Sequence, residues 1–226
     1  MNAPRPHVLL SVAMSIDGHI DDTTPDRLLL SNPEDFARVD EVRAHCDAIL
    51  IGANTIRRDN PRLLVNSESR RAARVQRGLA PYPVKITISA SGDLEADLKF
   101  FHTGGEKIVY ASSAACGPLR ARFDGLAEVV DAGEPISLPA LLDDLGRRGI
   151  KRLMVEGGGQ IHTQFLTQDL ADEIHLAMAP FFVGDPGAPR FINAGSFPQG
   201  PQRRMHVAET RQIGDIVLIR YLPREP

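Results

Sequence analysis

The sequence predicts a single α/β domain with a mixed β-sheet. Short apolar segments typical of buried strands alternate with segments of helical periodicity along most of the chain. The chain then finishes with two strand-like segments, at about 203–209 and 215–221, joined by a turn near Gly214. The sequence shows no internal repeat, low-complexity segment or linker, so we expect one domain over residues 1–226.

The composition of the chain argues against several classes of function. The 226 residues carry a net charge of −3 with a pI near 6.2, so no basic field indicates nucleic acid or an anionic membrane as partner. Cys46 and Cys116 lie far apart without a CxxC pattern, which favours reduced thiols over a zinc site or a disulfide. The sequence has no signal-type segment at its start and no apolar run near the ~20 residues that span a bilayer. We therefore expect a cytoplasmic protein without a bound metal.

The first third of the chain predicts a strand, a helix and a second strand. Residues 8–14 form an apolar run that ends in a turn at Asp17, which is either a turn former or a ligand contact. A helix begins near Pro33 and runs to about residue 45, with Phe36, Val39 and Val42 expected on its buried face and Arg43 at the border of that face. Residues 48–51 predict the second buried strand.

The middle of the chain predicts three further strands and a helix. A polar loop or a single helical turn is expected at 55–61, and the strands at 83–89, 107–110 and 126–130. Ser137 caps a helix with a leucine stripe at 138, 141, 142 and 145. Four arginines, at 70, 71, 74 and 77, indicate a solvated surface loop, with contact to a nucleotide 2′-phosphate as the alternative.

The most informative stretch is a strand, a glycine turn and a helix. Apolar residues 153–155 are followed by Gly157, Gly158 and Gly159, and then by apolar residues at helical spacing. This arrangement can aim backbone N–H groups at an anion, because glycine lets a phosphate approach closely. For a triple glycine alone, a plain strand–helix corner is an equally good interpretation. Glu156, at the end of the strand, is a candidate ligand contact.

One histidine needs a separate interpretation. His175 lies in the alternating segment Glu173–Ala179 and faces one side of that strand. A structural histidine is favoured there over a metal or substrate ligand.

Four segments, taken in order, are similar to those of a known family. They are Met14-Ser-Ile-Asp-Gly18; Gly52-Ala-Asn-Thr55 with Asp59-Asn-Pro61; Pro83-Val-Lys-Ile; and Val155-Glu-Gly-Gly-Gly159 with Leu170-Ala-Asp-Glu173 and Ala179-Pro180. Together they resemble the reductase family of riboflavin biosynthesis, over a core of about residues 7–222. The resemblance implies a dihydrofolate-reductase-like fold with a mixed, mainly parallel sheet flanked by helices and a C-terminal antiparallel hairpin. The zinc pattern of the associated deaminase is missing from the sequence, so no deaminase domain is expected.

The resemblance also implies an activity and a set of site residues. The activity is NADPH-dependent reduction of the ribosylamino group of a pyrimidinone 5′-phosphate to ribitylamino, with the hydride delivered to C1′ of the opened ribose. The cofactor site would be lined by Ala13, Thr55, Asp59, Ser89, Ala90, Ser91, Gly157, Gly158, Gly159 and Gln160. Arg43, Arg62 and Leu63 would contact the substrate. Glu156 and Asp17 are the candidates at the reacting centre, with Asp17 shaping the mouth of the site.

Three positions depart from the family pattern. His19 stands where a basic residue commonly follows Asp-Gly, and Asn66 where a basic residue often follows the Asp-x-Pro segment. Ser89-Ala90 replaces the usual Asp-Ser. Arg27 and Arg62 are the candidates to supply the positive charge that the first two changes remove.

These departures keep three hypotheses open. The first is the riboflavin-pathway reductase itself. The second is a paralogue with the same fold that reduces another pterin or pyrimidine, and the third is a nucleotide-binding module without catalysis. The family resemblance and the exposed edges expected at the C-terminal strands further predict a homodimer.

Overall fold

A computed structural model describes residues 4–223 and confirms the α/β fold. Nine strands belong to one mixed, mainly parallel sheet that ends in an antiparallel hairpin. Within the described chain, residues 4–6 and 40–154 form one compact unit, here called unit 1. Residues 7–39 and 155–223 form another, called unit 2. That residues 1–226 form a single domain stays a prediction.

The elements follow in chain order. The strands are β1 (His7–Ser15), β2 (Ala48–Gly52), β3 (Val84–Ser89), β4 (Lys107–Ala111), β5 (Glu128–Asp131), β6 (Arg152–Val155), β7 (Glu173–Ala179), β8 (His206–Ile213) and β9 (Ile216–Leu222). The helices are α1 (Pro33–Ala44), α2 (Ala53–Asp59), α3 (Glu68–Gln76), α4 (Lys99–His102), α5 (Ser113–Arg122), α6 (Leu138–Arg147) and α7 (Gly159–Thr167).

Unit 1 contains parallel strands, most of which are largely buried. The strand order is β5-β4-β3-β2-β6, and β3 pairs in parallel with β2 and β4. Every residue of β2 is buried, as expected for a parallel strand covered on both faces. The helix predicted after Ser137 is confirmed as α6, because Ser137 Oγ accepts from the Ala140 amide and the leucine stripe is buried.

Unit 2 combines parallel and antiparallel pairing. Its strand order is β1-β7-β9-β8, in which β1 and β7 are parallel and the last two pairs antiparallel. An apolar cluster of Ala177, Ile213, Ile216 and Leu218 packs on one side of these strands. The outermost strand, β8, is exposed over most of its length, as an edge strand would be.

Two predictions about helices are wrong. The arginines expected in a solvated loop lie on or directly after α3, and Arg74 is only 2% exposed. Its guanidinium donates to the carbonyl oxygens of Ala44, Cys46 and Ala80, so it satisfies backbone groups inside unit 1. In α1, Phe36 is 43% exposed and not buried as expected, whereas the charged residues Asp35 and Arg38 occupy the buried face.

Other expectations are confirmed or refined. The strand and helix on either side of the glycine turn are present as β6 and α7. The segment at 55–61 lies mostly in the seven-residue helix α2. Helix α5 was not predicted. Cys46 and Cys116 are both buried and form no disulfide within residues 4–223.

Candidate active site

The glycine turn in unit 2 has the backbone geometry that its sequence predicts. Gly157 has a φ of +122°, which side chains disfavour, and the peptide bond between Gly157 and Gly158 is cis. Gly158 is extended and immediately precedes α7, and its carbonyl oxygen accepts from the amides of Ile161 and His162. The N–H groups that lead the helix are therefore those of Gly159 and Gln160. Gln160 is exposed on that first turn. The segment therefore offers an anion a helix N-terminus without a side chain in front of it.

The outer glycines of this turn have different structural roles. A Cβ at Gly159 would lie 2.1 Å from the carbonyl oxygen of Arg190, so only glycine lets these two backbone segments approach. A Cβ at Gly157 would lie 3.3 Å from Nε2 of His162, so space and backbone angle both favour glycine there. The sequence leaves two interpretations open for the three glycines, the close approach of a phosphate and a plain strand–helix corner. The structure adds close packing inside unit 2 as a second reason for two of them.

His162, behind the glycine turn, was missed by the sequence reasoning. It is 1% exposed, and neither ring nitrogen has a hydrogen-bond partner among the described residues. Burial lowers the pKa of His162 to about 4, so the ring is neutral at physiological pH. Its ring contacts Phe191 edge-on, with 5.3 Å between centroids. Its position between Ile161 and the buried Phe165 on an apolar helix face is the sequence signal that could have found it.

Asp17 connects the end of β1 to the loop after β7. Its carboxylate accepts from Ser15 Oγ at 2.6 Å and from the amides of Val183 and Gly184 at 3.1 and 2.7 Å. The Ser15 hydrogen bond, opposed by partial burial and reinforced by these amides, holds the pKa of Asp17 well below its usual range. The group therefore remains a carboxylate that accepts hydrogen bonds, and it cannot donate a proton at neutral pH.

The remaining candidates in unit 2 are placed as follows. Ala13 lies on β1 opposite Ala177 of β7 and packs against the apolar cluster of this unit. Glu156 directly follows β6 and is half-buried. Arg27 is exposed in the loop before α1.

The cofactor candidates of unit 1 occupy two places. Thr55 and Asp59 are one turn apart on α2, and both are half-buried. Ser89 ends β3 and is 2% exposed, with its hydroxyl accepting from the Gly92 amide at 3.1 Å. Ala90 and Ser91 follow it and are exposed.

The substrate candidates of unit 1 meet on one segment, residues 62–66, here called the Arg62 segment. Leu63 is 4% exposed and has a φ of +45°, an uncommon angle for a leucine. Arg62 is exposed beside it. Nη1 of Arg43 donates to the carbonyl oxygen of Leu64 at 3.0 Å, so the structure brings Arg43 to the segment that holds the other two candidates.

The Arg62 segment is also held by cations that the sequence reasoning did not assign to the site. Arg71 donates to the carbonyl oxygens of Val65 and Asn66 at 2.9 and 2.7 Å. Lys85, which is fully buried in β3, donates to the carbonyl oxygen of Arg62 at 3.1 Å. The acceptor of Lys85 is 23 residues away in sequence, so spacing alone gives no signal for that contact.

Two of the departures from the family pattern have structural roles. His19 is 1% exposed; its amide donates to Ser15 Oγ, and its Nδ1 lies 3.2 Å from the carbonyl oxygen of Ala188. The backbone amide of Asn66 donates to the carboxylate of Asp40. His19 therefore occupies a packed interior position, and Arg71 brings a positive charge next to Asn66.

Two kinds of feature are missing from the described residues. Within residues 4–223, no three His, Cys, Asp or Glu side chains group as metal ligands. None of the helices in the same range combines the length and apolarity needed to cross a membrane.

The α/β fold, together with the similarities that follow, places the chain in one class of proteins, the reductase domains of riboflavin biosynthesis. The chain belongs to the RibD C-terminal domain family, whose model matches residues 6–219. It is 33% identical over 212 residues to a 2,5-diamino-6-ribosylamino-4(3H)-pyrimidinone 5′-phosphate reductase of Archaeoglobus fulgidus, covering 93% of this chain and 95% of that protein. The reductase of the same name from Methanothermobacter thermautotrophicus is 31% identical over 219 residues, covering 96% and 98%.

Solved structures show the same fold. A diaminohydroxyphosphoribosylaminopyrimidine deaminase/5-amino-6-(5-phosphoribosylamino)uracil reductase from Thermotoga maritima superimposes with a TM-score of 0.79 at 24% identity. The match covers 97% of this chain and 57% of that longer one. The Saccharomyces cerevisiae riboflavin biosynthesis reductase Rib7 gives a TM-score of 0.70 at 20% identity, covering 96% and 90%. These reductases therefore share the α/β fold that the sequence predicts for this chain.

Proposed function

We propose that this protein is an NADPH-dependent reductase that converts the ribosylamino group of 2,5-diamino-6-ribosylamino-4(3H)-pyrimidinone 5′-phosphate to ribitylamino. One observation carries the proposal: two reductases named for this substrate match the chain over more than nine-tenths of both lengths, at 33% and 31% identity. Family membership makes the chain a reductase domain, and the substrate and the choice of NADPH are the parts that we propose.

The residues of unit 2 fit a nucleotide cofactor. Gly157 has its left-handed backbone, and the N-terminus of α7 follows directly, so residues 157–160 present backbone N–H groups suited to a pyrophosphate. We assign Ala13, on β1, to the same cofactor site. Bound NADPH supplies the hydride, so the protein's task is to hold the reacting carbon in line.

Unit 1 supplies the other candidates. We assign Thr55 and Asp59 to the cofactor as well, with residues 89–91 toward its adenosine half. For the substrate phosphate we propose Arg43 and Arg62, because a guanidinium can bind phosphate through two parallel hydrogen bonds. Leu63 would contact the pyrimidine ring.

The carboxylates and Arg27 receive separate roles. Glu156 would accept hydrogen bonds from donors of the ring or ribose. Asp17 would shape the mouth of the site through the loop amides that it holds, since its depressed pKa prevents it from acting as an acid. Arg27 is the remaining exposed cation proposed for the phosphate.

A paralogue that reduces another pterin or pyrimidine is the second candidate. The observation that favours it is the buried position of His19, at a place where the family commonly has Lys or Arg. Arg71 beside Asn66 argues the other way, because it returns a positive charge to the Arg62 segment.

Parallel assays separate the two candidates. Oxidation of NADPH, followed by its absorbance, is expected with the ribosylamino-pyrimidinone phosphate and not with dihydrofolate. The same assay with NADH in place of NADPH is the control for the choice of cofactor. Turnover of dihydrofolate alone would replace the proposal with the paralogue. NADPH binding without turnover of either compound would instead favour a nucleotide-binding module.

We also propose that the enzyme is a cytoplasmic homodimer. The exposed edge strand β8 supports self-association, since a second copy would cover backbone groups that otherwise face solvent. Light scattering at micromolar concentration is expected to give the mass of two chains of 24.7 kDa each. A single-chain mass across that range would refute the dimer.

A further inference from the structure

Lys85 is a charged side chain in an interior position. It lies on β3, has no solvent exposure, and is among the largest fully buried side chains of the described protein. Its Nζ donates to the carbonyl oxygen of Arg62 at 3.1 Å, to Thr103 Oγ1 at 3.3 Å and to the carbonyl oxygen of Phe100. The Phe100 ring lies beneath it, 4.7 Å from Nζ to the ring centroid.

These partners match the ammonium form of the lysine. An ammonium group has three N–H donors and no acceptor, and the three partners are all oxygen atoms. Thr103 Oγ1 donates its own hydrogen to the carbonyl oxygen of Lys99 at 2.7 Å, which leaves its lone pairs to accept from Lys85. A neutral amine has only two N–H groups, so it can donate to at most two of the three oxygens. It would keep the contact with Thr103 only if that hydroxyl turned its hydrogen from the Lys99 carbonyl to the amine.

The hydrogen bond from Lys85 to the carbonyl oxygen of Arg62 gives the buried lysine a functional consequence. The carbonyl oxygen of Arg62 immediately precedes Leu63, whose φ of +45° sets the direction of the Arg62 segment. Arg43 and Arg71 hold the later carbonyl groups of the segment, at 64–66. Lys85 holds its beginning, where Thr103 Oγ1 also lies 3.2 Å from the Arg62 carbonyl oxygen.

We propose that Lys85 is a positioning residue of the reductase, which holds the Arg62 segment in the conformation that contacts the pyrimidine phosphate. The inference rests on the proposed function, because that is what assigns Arg62 and Leu63 to the substrate. Lys85 itself does not touch the reacting atoms in this proposal.

The electrostatic surroundings make the contact sensitive to pH. Burial, with a smaller contribution from Lys107 on β4, lowers the pKa of Lys85 to about 7. Helix α4 and the Arg62 segment face the ammonium with neutral oxygen atoms. Raising the pH through 7 therefore removes one donor and loosens the segment, whereas below 7 all three hydrogen bonds are present.

The test compares Lys85→Met with Lys151→Met, which removes an exposed lysine of unit 1. Lys85→Met is expected to raise KM for the pyrimidine phosphate about tenfold, with kcat and the KM for NADPH changed less than about twofold. Hydrogen exchange at the amides of Leu63 and Leu64 is expected to accelerate. Unchanged KM and unchanged exchange in Lys85→Met would overturn the inference, as would equal effects of Lys151→Met.

A second variant covers the case in which Lys85→Met does not fold. Lys107→Met removes a like charge, so it raises the pKa of Lys85 and should move the rise of KM with pH to higher pH. Titration of the substrate phosphate is common to both enzymes and cancels in the comparison. Identical KM profiles would contradict the inference. If the wild-type enzyme does not turn over the pyrimidine phosphate, the proposed function fails, and the exchange measurement decides whether Lys85 holds the segment.

Discussion

Glu173→Gln is expected to destabilise the protein by about 3 kcal/mol and to lower Tm by about 6–12 °C, because the amide leaves donors of a buried hydrogen-bond cluster without the carboxylate that accepts from them. Glu173 is 3% exposed. Its carboxylate contacts Nε2 of His175 at 2.8 Å, Nη2 of Arg220 at 2.7 Å and Nε2 of His7 at 3.2 Å. Glutamine preserves the shape but supplies no negative charge to these groups.

Glu209→Gln is the matched control. Glu209 also pairs with Arg220, at 2.9 Å, but its side chain is 32% exposed and solvent screens the pair. We expect that variant to lose less than about 1 kcal/mol. Urea unfolding at pH 7 measures the free energy of unfolding of both variants. Equal losses of that free energy would show that burial of the carboxylate does not determine how far its removal destabilises the protein.

Lowering the pH should reduce the difference in the free energy of unfolding between the wild type and Glu173→Gln. Burial alone would raise the pKa of Glu173, but hydrogen bonds from His175, His7 and Arg220 outweigh it and hold the pKa well below its ordinary value of 4.5. The contribution of the carboxylate is therefore complete above pH 4.5 and is lost progressively as the pH falls further. A gap in unfolding free energy that stays constant from pH 7 to pH 3 would contradict this assignment.

Gly159→Ala is expected to weaken cofactor binding at least about tenfold and to cost about 2 kcal/mol of stability, because overpacking against backbone cannot be relieved by a side-chain rotation. The new Cβ would lie 2.1 Å from the carbonyl oxygen of Arg190. The start of α7 or the segment around Arg190 must then move, and the N–H groups proposed for the pyrophosphate move with it. Calorimetric titration with NADPH, together with thermal unfolding, measures both effects.

Gly117→Ala provides the comparison. Gly117 lies in α5, and a Cβ there would meet no atom within 4 Å. Alanine should leave NADPH affinity unchanged and raise stability by up to about 1 kcal/mol, since glycine is the poorer helix former. If Gly159→Ala binds NADPH as tightly as Gly117→Ala does, the glycine turn is not the cofactor site.

Much of the fold could be predicted because the local sequence patterns favour the same helices and strands that tertiary packing stabilises. The leucine stripe of α6, with Ser137 before it, and the glycine turn between β6 and α7 all form where their patterns place them. Helix α5 escaped prediction because Gly117 and Pro118 weaken helical propensity inside it. Burial of Cys116 and Leu119, together with the cap at Ser112, outweighs those two residues.

The interior cations show what sequence patterns could not reveal. Arginine and lysine are ordinarily exposed, so a cluster of arginines predicts a solvated segment. Arg74 and Lys85 are buried because carbonyl oxygens distant in sequence need donors. His19 and Asn66 could be identified as departures from the sequence alone, but only their contacts show that they serve the backbone around them.

Asp17 joins the end of β1 to the loop after β7. Its contacts constrain the amino acids that these two segments can carry in different ways. It holds residues 183 and 184 through their backbone amides, and every amino acid except proline supplies that group. Gly184 has a φ of +69° and is best kept as glycine, but residues 182 and 183 can change their side chains while the loop keeps its path, as long as the aspartate remains. Substitutions at 182 and 183 therefore offer a way to alter the side chains at the proposed mouth of the site without redesigning the chain that supports it.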